Sequence, residues 1–231
     1  MDGPAQDSGK QKLLAFTPAK SRPEAPLSEL VMSRATLAEA DLPPYPGIAL
    51  ENVTLVASEA QAADALVVLL AAEVIGFDTE SKPTFLKGEV STGPHLVQLA
   101  TDRRTYLFPL SRSSDGAALK IVLEATQLLK VGFGLGNDRS ALKSRFGIDL
   151  RNVLDLGEVL RGPGHKGTVG AKVAVAHYFG QKLQKSKKTG TSNWASRQLS
   201  ERQLLYAAND AHVALQIYHV WRRERDKQAA L

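Results

Sequence analysis

The order of apolar segments along the chain predicts an α/β domain built on a mixed β-sheet flanked by helices. Three observations predict it. The apolar runs "PHLVQLAT" and "TYLFPL" are separated only by "DRR", the spacing of an antiparallel hairpin. Strand-like and helix-like segments then alternate, which suits parallel strands joined by crossover helices. A hydrophobic content of 43% over 231 residues is enough for one sizeable core.

Each element has its own signal. Residues 1–45 hold six of the eleven prolines and little periodicity, so a flexible lead-in is expected, with at most a short helix near "LSELVMSRATLAEA". A folded domain is expected over 46–225 and a short tail over 226–231. "ENVTLVAS" reads as a strand entry, and "SEAQAADALVVLLAA" as a helix with Ser58 as its N-cap. "EVIGFDTE" is a strand followed by a loop from Ser81 to Gly93, and then comes the hairpin. "AALKIVLEATQ" is a helix, "LLKVGFG" a strand, and "DRSALKSRF" a helix closed by Gly147. "NVLDL" is a last short strand. Helices follow around "TVGAKVAVAHYF" and from Glu201 to about Arg223, the latter opened by the capping box "SERQ". The lysine-rich "KLQKSKKTG" reads as an exposed loop.

Composition removes several function classes. There is no cysteine, which excludes disulfides, zinc-thiolate sites and thiol nucleophiles. The N-terminal stretch lacks the apolar core of a signal peptide, and no run reaches membrane-spanning length. A soluble intracellular protein is expected, cytoplasmic if bacterial, with no membrane partner. The net charge is only +5, but it is unevenly placed. Nine Lys or Arg stand against one acid between Arg161 and Leu204. Charge clustered this way suits a polyanion, although a lysine loop also serves as a plain solvated surface.

The candidate chemistry lies in acids. Asp78 and Glu80 end an apolar strand two residues apart, so they share one face while Thr79 takes the other. Like charges there repel unless a cation or a shared proton compensates, or unless both point into water. On the final helix, Tyr206, Asp210, Val213, Ile217 and Val220 form a stripe on the apolar side, which places Asp210 one turn after Tyr206 on a face meant for the sheet. Asn209, His212, Gln216, His219 and Arg223 form a second, polar stripe expected to be solvated. Glycines 132, 134 and 136 allow a sharp turn before Asp138. Their spacing falls short of a dinucleotide fingerprint, and no phosphate-cradling loop or nucleotide cofactor is expected. Asp138 reads either as a helix cap or as a residue projecting into the cleft of Asp78 and Glu80.

In combination these pieces resemble a known family. A D-x-E closing a strand, Gly134-x-x-x-Asp138-x-x-x-Leu142 and Tyr206-x-x-x-Asp210, in that order, resemble the DEDD 3′–5′ exonucleases, and the tyrosine marks the DEDDy branch. Over about residues 48–222, and most closely in "TSNWASRQLSERQLLYAANDAHVAL", the chain is similar to the Werner-syndrome-type exonuclease domain of the ribonuclease D superfamily. The resemblance implies a ribonuclease H-like mixed sheet and two divalent ions, Mg²⁺ or Mn²⁺. It implies that Asp78, Glu80 and Asp210 hold the first ion, that Asp78 bridges to the second, and that Asp138 holds the second mainly through water. Tyr206 matches the residue that orients the attacking water. Ser81-Lys82-Pro83 stands where that pattern usually has Trp-Pro, which bears on substrate preference.

The expected substrate is a nucleic-acid 3′ end, single-stranded or 3′-recessed DNA first. The chain ends just after the last helix, without room for the helical C-terminal domains typical of ribonuclease D, and this tilts the expectation from RNA toward DNA. An RNA-trimming enzyme and a catalytically silent binding module are the alternatives. Phe85 and Leu86 are expected to wedge against the terminal base, and Lys185, Lys187 and Lys188 to contact phosphates. Trp194 reads as the anchor of its loop on the final helix or as a stacking platform. Asp149, Asp155 and Glu158 occupy no motif position and read as surface or capping groups. Nothing in the sequence addresses oligomeric state.

Overall fold

The computed structural model describes residues 42–86, 88–110, 116–161 and 167–230. Nearly all of the expected lead-in, with its short helix, lies outside the described residues. A 3₁₀ turn at Leu50–Asn52 leads into strand β1 (Val53–Leu55), and helix α1 (Glu59–Leu70) follows. Ser58 caps that helix by accepting a hydrogen bond from the Gln61 amide, as its position implied. Next come β2 (Val74–Glu80), β3 (Leu96–Ala100), β4 (Thr105–Pro109), α2 (Gly116–Glu124), β5 (Leu129–Gly132) and α3 (Gly136–Phe146). The chain closes with β6 (Val153–Asp155), α4 (Leu156–Val159), α5 (Ala171–Phe179), α6 (Lys187–Gly190) and α7 (Glu201–Ala229).

The six strands form one mixed sheet in the order β1-β4-β3-β2-β5-β6. The pairs β2–β3 and β3–β4 are antiparallel, while β1–β4, β2–β5 and β5–β6 are parallel. This is the hairpin-then-crossover arrangement that the sequence implied. Burial follows the pleat. Ile75, Phe77, Val97, Leu99 and Phe108 point to one face, where α1 and α2 cover them. Leu96 and Leu107 point to the other, where they meet Ala207 and Ala208 of α7. Fully burying an aliphatic or aromatic side chain of this kind contributes about 1.5–3 kcal/mol.

Helix α7 organises the second face. The capping box at Ser200 and Gln203 starts it, and it then packs across β1, β2, β3, β4 and β5. Close approach depends on Gly76 in the middle of β2. A Cβ placed there would lie 1.9 Å from the Ala211 carbonyl oxygen of α7. The helix backbone therefore rests directly on the strand.

Several details depart from the sequence-based expectations. Helix α7 runs six residues past Arg223, continuing to Ala229. The lysine-rich stretch is not all loop, because Ser186 caps the helical turn α6, where Thr189 is buried. His212 is buried, and Asn209 is half-buried and accepts a hydrogen bond from the Ile48 amide, so the polar stripe is not a solvated face. The chain between Gly47 and Ile48 folds back over α7 and covers it, which the helix sequence does not encode. Lys130, inside a strand, is fully buried and donates to the carbonyl oxygens of Ala125 and Leu128. Burial pulls its pKa down to about 8.

The substitution Gly76→Ala is expected to force α7 off the sheet. The overpacking cost is about 2 kcal/mol or more, a fall of about 4–8 °C in Tm for a domain of this size. Thermal unfolding followed by circular dichroism checks it, and an unchanged Tm would show that the helix can shift freely.

Candidate active site

The acids gather where the central strands end. Asp78 and Glu80 lie on the α7 face of β2, the face set by Gly76 two residues earlier. From above, α7 presents Asp210, only 7% exposed, and Tyr206 one turn before it. The fourth acid arrives from a neighbouring strand. Because β5 is parallel to β2, its C-terminal end opens on the same side, and the turn after it places Asp138 in the first turn of α3. The Thr79 hydroxyl donates a hydrogen bond to Asp138. Asp138 does not act as the N-cap, since that position is Leu135, with no side-chain cap.

Asp155 does the bracing instead. Its carboxylate accepts from the Gly134 and Leu135 amides at 3.0 and 2.8 Å, and from Gly157 at 2.8 Å. It caps α4 and clamps the glycine turn that aims Asp138, so its reading as a capping group holds. Asp149 pairs on the surface with Lys143 and Arg151.

Burial raises the pKa of all four acids, and neighbouring carboxylates add to it at Asp78 and Glu80. Burial, then Asp210 and Asp138, hold Asp78 well above the ordinary carboxylate range, with Lys185 partly opposing. Burial and Asp78 push Glu80 up to about 9. Burial raises Asp210 to about 6, against the pull of Lys185. Asp138 is raised by burial, and the Thr79 hydrogen bond partly offsets this. Tyr206 is pushed up to about 12, mainly by burial and then by Asp210. A phenol held there stays protonated near neutrality and is a hydrogen-bond donor rather than a base.

Lys185 supplies the cluster's positive charge. Its Nζ lies 3.0 Å from Asp210 Oδ2 and 5.7 Å from the centroid of the Tyr206 ring. Burial by itself would lower its pKa, but Asp210 and Asp78 outweigh burial and hold it above its ordinary value. Among the described residues, no three acidic or imidazole side chains already surround a single ion position. The donor set is nonetheless all oxygen, half-buried at Asp78, Glu80 and Asp138 and buried at Asp210, and short of positive charge, which fits hard divalent cations such as Mg²⁺ or Mn²⁺. Asp78, Glu80, Asp138 and Asp210 are the residues that could hold them.

The remaining sequence-derived residues fall around this cluster. Phe85 and Leu86 are 79% and 77% exposed in the loop after β2, and the Glu89 carboxylate accepts from both of their amides. Lys187 and Lys188 are exposed on α6. Trp194 is 2% exposed and its Nε1 donates to the Gly190 carbonyl oxygen at 3.0 Å, with its ring 6.0 Å from Tyr206. That is the anchor geometry, and the buried ring offers no open face for a base. Gly190 also gives room to the phenol, because a Cβ there would sit 2.7 Å from Tyr206 Oη. Thr79 is a site residue the sequence reading missed. The pleat rule sent its side chain away from Asp78, and only the crossover to α3 brings Asp138 to it.

A mixed sheet with acids converging from two strands and a crossing helix is the ribonuclease H-like arrangement of nucleases. Residues 53–224 match the family described as 3'-5' exonuclease, and the chain belongs to that family. It is 32% identical over 148 residues to the mouse "Bifunctional 3'-5' exonuclease/ATP-dependent helicase WRN", and 28% identical over 148 residues to an Arabidopsis thaliana "3'-5' exonuclease". Both alignments take in 63% of this chain, but only 11% of the mouse protein and 51% of the plant one. Among solved structures, the Aedes aegypti Nibbler EXO domain superposes with a TM-score of 0.63 at 29% identity, covering 75% of this chain and 88% of that one. Escherichia coli RNase D shares the fold, with a TM-score of 0.66 at 23% identity over 78% of this chain and 47% of that one. Among the described residues, no helix is long and apolar enough to cross a membrane.

The Glu80 shift has a sign that can be tested on metal-free protein. In the unfolded chain this carboxyl ionises near 4.5 and in the folded protein near 9. Between those values the folded state holds the extra proton, so stability falls as pH rises through that window. Glu80→Gln removes the penalty and is expected to raise Tm at pH 8 by about 2–4 °C, roughly 1 kcal/mol for a domain this size. The gap should close as pH is lowered toward 4.5. Thermal melts in chelator across pH check this, and a variant less stable than wild type at pH 8 would contradict it.

Proposed function

We propose that the protein is a metal-dependent DEDDy-type 3′–5′ exonuclease that releases nucleoside 5′-monophosphates, with DNA as its preferred substrate. The observation that carries this reading is the convergence of four raised-pKa carboxylates from β2, α3 and α7 beside a tyrosine that keeps its proton. Structural use of four such acids is costly, since each is disfavoured in its charged form. In this proposal Asp78, Glu80, Asp210 and Asp138 would hold the ions, the first three at one and Asp78 with Asp138 at the other. When bound, two divalent ions would supply the activation of water and the charge neutralisation of an in-line phosphoryl displacement.

The chain's own residues do the rest. Tyr206 donates its hydroxyl proton in a hydrogen bond to the attacking water and holds it in line. The water oxygen bonds to phosphorus and gives up a proton to bulk water, the P–O3′ bond breaks with its electron pair going to O3′, and the preceding nucleotide's O3′ takes up a proton from bulk water. Lys185, beside Asp210, and exposed Lys187 and Lys188 contact backbone phosphates. Phe85 and Leu86, held out by Glu89, wedge against the terminal base. The DNA preference in this proposal rests on the resemblance of "SNW" and "YAANDA" to the Werner-type pattern.

Digestion of 5′-labelled single-stranded DNA, 3′-recessed duplex and matched RNA in Mg²⁺ or Mn²⁺ tests the proposal. Shortening from the 3′ end is expected, with Asp78→Ala and Asp210→Ala reduced to background. Tyr206→Phe should lose about 10²-fold in kcat, with KM little changed. Faster digestion of RNA would move the substrate to ribonuclease D type, and binding without cleavage at any metal concentration would leave a silent module. Replacing Lys187 and Lys188 with Ala should weaken single-strand binding for all sequences and flatten its log–log salt slope by about 0.7 per lost contact. An unchanged slope would remove these lysines from the interface.

A further inference from the structure

Gln98 stands out on the α7 face of the sheet. It is fully buried on β3, and neither its carboxamide nitrogen nor its oxygen has a hydrogen-bond partner among the described residues. An amide left in that state has lost its hydration without compensation, so its retention calls for a state in which it is satisfied. The sheet register points to that state. Gln98 is the direct cross-strand partner of Asp78, and on its other side it pairs with Leu107 of β4. Directly opposed side chains in an antiparallel pair share a face, with Cβ atoms about 4.5–5.5 Å apart. Leu96, Leu107, Ala207 and Ala208 pack together on this part of the face, and the buried Thr105 hydroxyl there donates to the Ala208 carbonyl oxygen. The acid that the register sets beside Gln98 is Asp78.

We infer that Gln98 is a positioning residue for Asp78, resting on the metal-site reading above. With a divalent cation held at the cluster, the Gln98 carboxamide would rotate to donate its N–H to a carboxylate oxygen of its cross-strand partner Asp78. In this structure Asp78 Oδ1 accepts from the Thr79 amide at 2.8 Å. Hydrogen bonds behind a metal-bound carboxylate fix its orientation and raise its basicity. Among the described residues no side chain donates a hydrogen bond to Asp78, and its cross-strand partner on β3 is Gln98.

The test compares wild type with Gln98→Met, which keeps the length and volume of the side chain without the amide. Mn²⁺ uptake is measured by isothermal titration calorimetry, and metal-free stability by urea unfolding. Gln98→Met should be at least as stable as wild type without metal, yet bind Mn²⁺ about tenfold more weakly. Gln98→Asn, with the same amide on a shorter arm, should also bind weakly, and it serves if the Met variant does not fold. A purely structural role would instead lower stability in both variants and leave Mn²⁺ affinity at the wild-type value, which would overturn the inference. Wild-type protein that takes up no Mn²⁺ would overturn the metal-site reading, and this inference with it. Equal affinity in wild type and variants would overturn this inference alone.

Discussion

The contact between the backbone of α7 and the middle of β2 is the constraint on which the rest of this structure depends. With no side chain at Gly76, the carbonyl of Ala211 settles against the strand, closer than any Cβ would permit. Everything chemical follows from that distance. Asp210 is the residue just before the contact, and Asp78 is two residues beyond Gly76 on the same face, so seating the helix brings two acids together. The packing of Ala207 and Ala208 on Leu96 and Leu107 holds the helix in that register. Small residues on the helix and glycine on the strand are therefore as much part of the site as the carboxylates are.

Bringing acids together in this way is unfavourable, and the fold manages the cost through geometry. Lys185 places a cation against Asp210, Thr79 gives Asp138 a donor, and Asp155 ties the glycine turn to α4. None of these fully discharges the cluster, as the raised pKa of Asp78 and Glu80 records. A site with stored like-charge repulsion binds cations with a free-energy gain that an uncharged core could not offer. Lys185 occupies the place of part of that charge. Its anchor in the chain is the segment between α5 and α6, so the same stretch that carries the basic surface also reaches into the acids.

The loops around the cluster divide into rigid and presented parts. Trp194 is buried against Tyr206 and bonded to Gly190, which locks the segment after α6 to the start of α7. Phe85 and Leu86 lie at the opposite extreme, exposed on a loop whose shape is fixed by the carboxylate of Glu89. Apolar side chains held out in water beside a charged cleft are consistent with a surface that meets something large and partly apolar. The nucleobases of a polynucleotide are of that kind.

By itself the sequence determined the alternating α/β plan, the capped starts of α1 and α7, and the shared face of Asp78 and Glu80, because these depend on local periodicity and capping chemistry. It also determined the spacing of Tyr206 and Asp210, one helical turn apart. Other features were decided only by the tertiary structure. His212 and Asn209 lie on a helix face that looks solvated in one dimension but is covered by the chain around Gly47 and Ile48. Thr79 meets Asp138 across 59 positions, Lys185 pairs with Asp210 rather than facing solvent, and Gln98 is left with its amide unpaired beside Asp78. Each of these results from a strand order, a crossover or a helix crossing that brings distant segments together, and no window of sequence contains both partners.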